Sequence, residues 1–277
     1  MAAREFLRST AARSAAWAIA LAAAPALGIA APVNLNTWTA ESYASVSGFG
    51  AGVWVVGGGG SFVDQTVNGQ PTIFYSDFSA LNTDVRGRIE VRTTGDDDFV
   101  GFVLGFNPGD TTSATADYLL IDWKQITQSF DFTGNAATNA TPGTTALVGL
   151  AASRVSGTPS ADELWGHVNA VENAGGGVSE LARGATLGNT GWADNTEYEF
   201  RFVYTSTNLR VFVDDVLQID IDGVFPDGRL GFYNFSQSDV RYSAFTVDPA
   251  GVPEPGGLAL LGAAGLAGLA FGRRKRS

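Results

Sequence analysis

The densest chemistry in the chain is a run of three carboxylates, Asp96-Asp97-Asp98, set immediately before an apolar stretch that opens at Phe99. Neighbouring anions repel one another unless water or a cation lies between them. In extended backbone alternate side chains share a face, so Asp96 and Asp98 point the same way and two carboxylates can share one ion. Calcium suits such a place, because it takes about six to eight hard oxygen ligands and accepts backbone carbonyls from a nearby loop. A solvated acidic turn is the other reading these residues allow. A second acidic group, Asp220, Asp222 and Asp227, reads as surface, since Asp220 and Asp222 alternate with Ile219 and Ile221 as the wet face of a strand does. It is no EF-hand, because Val224-Phe225-Pro226 follows Asp222-Gly223 and no later Glu closes the loop.

Nucleophilic and hydrolytic chemistry find little support. His167 is the only histidine, so a Ser-His-Asp triad would have to centre on it, and no Gly-x-Ser-x-Gly elbow is present. Cysteine is absent, which excludes Cys/His zinc sites and disulfides alike. A glycoside hydrolase needs two carboxylates about 5 to 10 Å apart, and the Glu-x-Asp-x-x-Glu strand of jelly-roll endoglucanases is missing. The residues therefore favour a binding or structural protein over an enzyme. A secreted polysaccharide-active enzyme, and a structural matrix component without a ligand, are the alternatives. Trp123 alternates with Asp122 and Lys124 and so belongs to a core, whereas Trp165 and Trp192 stand in loop-like contexts and are the candidates for stacking on a sugar ring.

The elements that must position these residues are strands. From Val53 to Val247 the signal is period two in short runs broken by Gly, Asn, Asp and Pro, with no long helical period. Tyr198, Phe200, Phe202 and Tyr204 alternate with Glu197, Glu199, Arg201 and Val203, and two further alternating runs flank Asp214-Asp215 as a hairpin with a tight acidic turn. Strands are also predicted over 88–92, 99–106, 118–125, 229–235 and 241–247, with weaker ones over 62–67 and 146–152. About a dozen strands in one domain imply two stacked sheets. Gly57 to Gly60, Thr133 to Thr145 and Gly175 to Gly177 read as loops, and residues 31–47 as a first strand or a loose lead-in.

Both ends of the chain read as addresses. Arg4, Arg8 and Arg13 precede an apolar stretch from Ala15 to Ile29, and Gly28-Ile29-Ala30 offers small residues for a signal peptidase, so cleavage is predicted after Ala30. At the other end Pro253-Glu254-Pro255 precedes an uncharged run over 256–272 and then Arg273-Arg274-Lys275-Arg276. That run is shorter than the roughly 20 apolar residues of a full span, but bilayer thinning and snorkelling basic residues permit a transient insertion. The positive-inside bias holds the basic cluster in the cytoplasm and puts the body across the membrane. A stop-transfer helix behind a proline-rich linker has the same parts. The order of the three pieces resembles the PEP-CTERM sorting signal of exopolysaccharide-producing bacteria. The resemblance implies processing near Pro-Glu-Pro by a membrane-embedded exosortase in a Gram-negative-type cell, with delivery to the envelope, the surface or the extracellular matrix of a biofilm.

Removing the two ends takes away 7 of the 17 basic residues but only Glu5 and Glu254, so the body keeps 10 basic against 26 acidic residues, a net charge of −16. Such a surface repels nucleic acid and anionic lipid and attracts divalent cations. The chain thus divides into a signal peptide (1–30), one domain (31–250) large enough to bury a core without staples, and a sorting segment (251–277) with its basic tail at 273–276.

Several segments of the body, in order, are similar to the C-terminal, lectin-like domain of thrombospondins. They are Val63-Asp64-Gln65-Thr66-Val67-Asn68, Asp84-Val85-Arg86-Gly87, Asp96-Asp97-Asp98-Phe99-Val100-Gly101-Phe102, Asp122-Trp123-Lys124-Gln125, Leu164-Trp165, Gly191-Trp192, and Gly228-Arg229-Leu230-Gly231 with Phe235-Ser236-Gln237. The resemblance covers roughly Trp54 to Val247. It implies an all-β jelly-roll sandwich of the concanavalin A type, bound calcium, and adhesion to an extracellular polysaccharide or a surface protein. It also makes Asp84 a further calcium-ligand candidate beside Asp96, Asp97 and Asp98. The chain lacks the Asp-rich repeats and every cysteine of the family, so the receptor functions of the animal proteins do not carry over.

Overall fold

Alternation decides which side of each strand meets the core. In the computed structural model, which describes residues 30–45, 48–132, 145–169 and 176–250, Phe200, Phe202 and Tyr204 are buried while Glu197 is exposed and Glu199 and Arg201 are half-buried on the opposite side. In chain order the strands are β1 (Ala31–Pro32), β2 (Thr39–Ser42), β3 (Trp54–Gly57), β4 (Phe62–Gln65), β5 (Thr72–Ser79), β6 (Thr83–Val91), β7 (Phe99–Phe106) and β8 (Asp117–Lys124). They continue with β9 (Gln128–Ser129), β10 (Thr145–Ala146), β11 (Gly149–Gly157), β12 (Gly176–Arg183), β13 (Glu197–Tyr204), β14 (Asn208–Val213), β15 (Val216–Asp222), β16 (Arg229–Phe235) and β17 (Val240–Pro249). A 3-10 turn (Leu35–Thr37) and one short helix, α1 (Ala161–Gly166), complete the described elements.

The strands form a two-sheet jelly-roll sandwich. The eight-stranded sheet runs β15-β14-β13-β6-β17-β4-β3, with β1 also paired to β17, and the seven-stranded sheet runs β12-β11-β8-β7-β16-β5-β2. Pairing is antiparallel throughout both sheets. The main core lies between them, with Phe102, Trp123, Phe200, Phe202, Phe232 and Tyr242 at its centre. A second apolar cluster covers the outer face of the seven-stranded sheet, where Tyr43, Phe132 and the α1 residues Leu164 and Trp165 pack on Phe99, Tyr118 and Tyr233. The middle strands β7 and β8 are therefore buried on both faces, which is why Phe99 to Phe106 reads as one apolar run without alternation.

Two glycines of the thrombospondin-like segments are explained by close approach. A side chain at Gly87 would overlap the ring of Phe245, and one at Gly191 would overlap the Gln125 carbonyl. The acidic turn of the hairpin places both Asp214 (φ 48°) and Asp215 (φ 61°) in the left-handed region, the geometry of a tight two-residue loop that matches the twist of β14 and β15.

Some expectations need correction. The segment predicted over 88–92 is the end of a longer strand, β6, and residues 31–42 form β1, the 3-10 turn and β2. Gly176 and Gly177 open β12 rather than a loop, opposite Gly157 and Ser156. Helix α1 escapes a search for period because six residues make less than two turns. It starts through a capping box: Ser160 Oγ accepts from the Glu163 N–H, and the Glu163 carboxylate accepts from the Ser160 N–H at 2.8 Å. The proposed signal peptide, the apolar run over 256–272 and the residues Pro253, Glu254, Pro255, Arg273, Arg274, Lys275 and Arg276 lie outside the described residues, as does most of the 133–145 loop. No helix among the described residues is long and apolar enough to cross a membrane.

Candidate metal site at the acidic end

The loop from β6 to β7 carries the aspartate triplet, and the register of β7 on β8 sets Phe99 opposite Lys124. That register brings the fully buried Lys124 ammonium under the triplet. Its Nζ donates to Asp98 Oδ1 at 2.6 Å, to the Asp97 carbonyl at 2.7 Å, to Asp97 Oδ1 at 3.3 Å and to Gln128 Oε1 at 2.9 Å. The Trp165 ring lies 4.9 Å from it and the Phe99 ring 5.8 Å.

The neighbouring segments close on the same point. The Asp98 N–H donates to Gln237 Oε1 at 2.8 Å, Asn68 Nδ2 donates to Asp96 Oδ2 at 2.8 Å, and Ser236 Oγ donates to Asn68 at 3.3 Å. Trp192 Nε1 donates to the carbonyls of Asp98 and Trp123, each at 3.1 Å, and Gln125 Nε2 reaches Asp194 at 3.1 Å. Residues scattered over 68, 96–98, 123–125, 192 and 236–237 thus form one assembly at one end of the sandwich.

The charges there are crowded. Burial, and then the charge of Asp98 beside it, push the Asp96 carboxyl up to about 7. Burial raises Asp98 as well, although Lys124 pulls the other way. One carboxylate oxygen from each of Asp96, Asp97 and Asp98 lies within 4.8 Å of the other two. Lys124 matches one negative charge from the buried side. When all three carboxyls are ionised two charges are left over on the outer side, and that surplus is what holds Asp96 partly protonated near neutral pH. A divalent cation at the outer oxygens would complete the balance, so this donor set fits calcium there, with water and loop carbonyls as further ligands. It does not fit an ion on the inner side, where the ammonium already holds the oxygens.

The other predicted site residues fall elsewhere. Asp84 sits at the far end of β6, seven residues before Val91 and so about 23 Å along the strand. Its carboxylate is held by Arg201, with Nε at 2.9 and 3.2 Å and Nη2 at 2.6 Å. It does not join the triplet. Trp165 and Trp192 are not surface residues: both are buried, Trp165 among Phe99, Phe132 and Phe235 and Trp192 behind the triplet. Trp123 is in the core as expected. Asp220 and Asp222 are exposed, and both accept from Asn208 Nδ2.

A second buried charge assembly lies on the same face of β8, two residues from Lys124. His167 ends α1 in the left-handed region (φ 51°) and turns its ring inward. Its Nε2 meets Asp122 Oδ2 at 3.0 Å, and its Nδ1 lies 3.4 Å from Glu180 Oε2, which Arg183 also binds. Burial alone would lower the imidazole pKa, but the Asp122 and Glu180 carboxylates override it and raise it to about 9. Lys124 and His167 were not singled out as site residues from sequence. The available signal was Asp122 and Lys124 sharing one face of an otherwise apolar run, which marks charges that must be matched under cover.

The chain matches the family model described as Thrombospondin C-terminal region over residues 50–250. Thrombospondin-2 of Gallus gallus is 30% identical over 211 residues, covering 69% of this chain and 16% of that protein. Thrombospondin-3b of Danio rerio is 30% identical over 200 residues (69% and 20%), and cartilage oligomeric matrix protein of Rattus norvegicus is 27% identical over 201 residues (69% and 24%). The chain therefore spans a quarter or less of the length of these relatives. Among solved structures, the carbohydrate binding module CBM66 from Bacillus subtilis superposes with a TM-score of 0.44 at 13% identity, covering 74% of this chain and 99% of that one. The VIP36 exoplasmic/lumenal domain in its Ca2+/Man-bound form does so with a TM-score of 0.45 at 14% identity, covering 79% and 85%.

Proposed function

Since this chain belongs to the thrombospondin C-terminal region family, we propose that it is an exported, lectin-like adhesion or matrix module that binds extracellular polysaccharide or a surface protein, with calcium at its acidic end. The observation that carries the reading is the convergence of five of the family segments on the triplet: Asn68, Asp96 to Asp98, Lys124, Trp192 and Gln237 meet there through direct hydrogen bonds. Asp96, Asp97 and Asp98 would hold the ion and screen one another's charge through it. The loops over 66–70, 93–98 and 236–239 would then be ordered together. The body's net charge of −16 supports a counter-ion. The names of the relatives, one of them a matrix protein, support a place outside the cell.

Export proceeds in this reading through signal peptidase cleavage after Ala30 and transient insertion of the 256–272 segment. An exosortase then acts near Pro253-Glu254-Pro255, with Arg273 to Arg276 held on the cytoplasmic side of a Gram-negative-type cell. Mass spectrometry of the protein from its own host is expected to find both ends processed, and Glu254→Ala is expected to leave a longer, membrane-held form. Normal release of that variant would remove the sorting reading.

Binding is tested by sedimenting the purified protein with the host's extracellular polysaccharide, in calcium and in EDTA, while following reducing ends on soluble and insoluble glucans. Calcium-dependent retention without new reducing ends is expected. Turnover would establish the polysaccharide-active alternative, and a protein that stays in solution under every condition would overturn the adhesion reading.

A further inference from the structure

Lys124 is the sole lysine outside the C-terminal basic cluster, and it is completely buried. A buried ammonium is costly unless oxygens surround it. This one has four within 2.6 to 3.3 Å, drawn from Asp97, Asp98 and Gln128, and two aromatic rings over it. The arrangement resembles the shell of a small cation: a backbone carbonyl, two carboxylates and a side-chain amide closing on one positive centre. It also joins three separate pieces of chain, namely the loop before β7, the end of β8 and the start of β9, and it places α1 above them through Trp165.

We infer that Lys124 is the resident cation of the acidic end, doing there what a structural metal does elsewhere, so that this end of the sandwich folds without a divalent ion. A metal and the ammonium compete for the same inner oxygens of Asp97 and Asp98, and two positive centres so close repel. An external cation is thereby confined to the outer oxygens, those of Asp96 above all, where it acts as a reversible ligand. The inference rests on the calcium reading only in assigning the ion to the outer oxygens; the part played by the lysine stands without it.

The test is thermal unfolding of the protein purified from its host, in EDTA and in millimolar calcium, for wild type, Lys124→Met and the double variant Lys124→Met with Asp98→Asn. The methionine keeps the length and fills the aromatic slot. Wild type is expected to lose no more than about 3 °C in EDTA. Lys124→Met, which leaves Asp98 buried and unmatched, is expected to lose about 10 °C in EDTA and to regain more than wild type does when calcium is added. The double variant, free of both charges, is expected to recover most of the loss, and it remains the readout if the single variant does not fold.

A wild type that loses 10 °C or more (about the cost of an unmatched buried charge) in EDTA would overturn the inference. So would a Lys124→Met protein as stable as wild type, or a double variant as unstable as the single one. Calorimetric titration of wild type with calcium reads the other proposal separately: absence of heat removes the calcium site and leaves the role of Lys124 intact.

Discussion

On the outer face of the eight-stranded sheet, Arg88 meets Glu197 at 2.9 Å with both side chains 47% exposed, and Arg241 and Arg92 share Asp64. On the outer face of the seven-stranded sheet, Lys124, Asp122 and His167 carry charge with side chains between 0% and 6% exposed. Both faces belong to strands of one sandwich and both pair every charge just named. They differ in whether anything lies on top. Water screens the Arg88–Glu197 pair, so it adds little, and reaches the arginines that share Asp64 as well. Tyr43, Phe132 and α1 exclude water from the second face, so each charge there must be matched or the fold loses several kcal/mol. The segments Asp96 to Phe102, Asp122 to Gln125, Leu164-Trp165 and Phe235 to Gln237 meet at or beside the cover, while Asp64 and Asp84 lie on the open ladder.

Removing the cover is expected to have the largest effect. Trp165→Ala takes away the ring that packs on Phe99, Phe132 and Phe235 and shields Lys124. A loss of about 3 to 5 kcal/mol in urea unfolding is expected. A loss below about 1 kcal/mol would break the comparison, since the two faces would then behave alike.

The buried imidazole comes next. Its folded-state pKa, about 9, lies above the ordinary 6.5, so its contribution is fully present below about pH 6.5 and is lost as pH rises through 9. Glu180, whose carboxyl burial would raise but whose bonds to His167 and Arg183 bring down to about 2, contributes above its usual 4.5 and loses that part only as pH falls through 2. Asp96 and Asp98, whose carboxyls burial raises, already weaken the fold as pH climbs from about 4 to 7. His167 is expected to add a further decline of about 3 kcal/mol between about pH 6.5 and 9. In His167→Gln that alkaline decline disappears. Unfolding in urea at a series of pH values reads it, and an identical decline in the variant would place its origin elsewhere.

How much of this was legible in the sequence differs between the two faces. Alternation is a local signal, so the open face could be read directly: Glu197, Glu199 and Arg201 fall outward and Asp220 and Asp222 stay wet. The ends of β7 and β16 were also legible, because apolar runs stop where strands do. The covered face could not be read the same way. Whether Trp165 and Trp192 meet solvent depends on which distant segments fold over them, and nothing in their immediate neighbours records that. The triplet was visible as an acidic cluster, but its partner Lys124 is 26 positions beyond Asp98 and meets it through the β7–β8 register. Asp84 illustrates the reverse error: family position marked it as a ligand, while its place on the outward side of β6 opposite β13 makes it the partner of Arg201.

That partnership is intermediate between the two regimes. Arg201 and Asp84 are 23% and 17% exposed and meet in a bidentate contact, with Arg201 also 5.2 Å from the Phe212 ring. Asp84→Asn is expected to cost about 1 kcal/mol and to leave calcium binding unchanged. A calcium titration that lost its signal in this variant would return Asp84 to the site.

The smallest effect is expected from Arg88→Ala. The pair with Glu197 is half exposed at both ends, so the attraction between the charges is screened while holding two long side chains together costs entropy. The stem of Arg88 also lies on the strand surface beside Ser243 and Glu199, its cross-strand neighbours, and some of that cover is lost with the charge. The net change is expected to stay within about 0.5 kcal/mol and to shrink further in high salt, where wild type loses the pair's contribution as well. A loss of 2 kcal/mol or more would mean that the ladder acts as a network rather than as separate pairs. The open face would then be as dependent on its charges as the covered one, and the contrast between them would lie in the kind of matching and not in its strength.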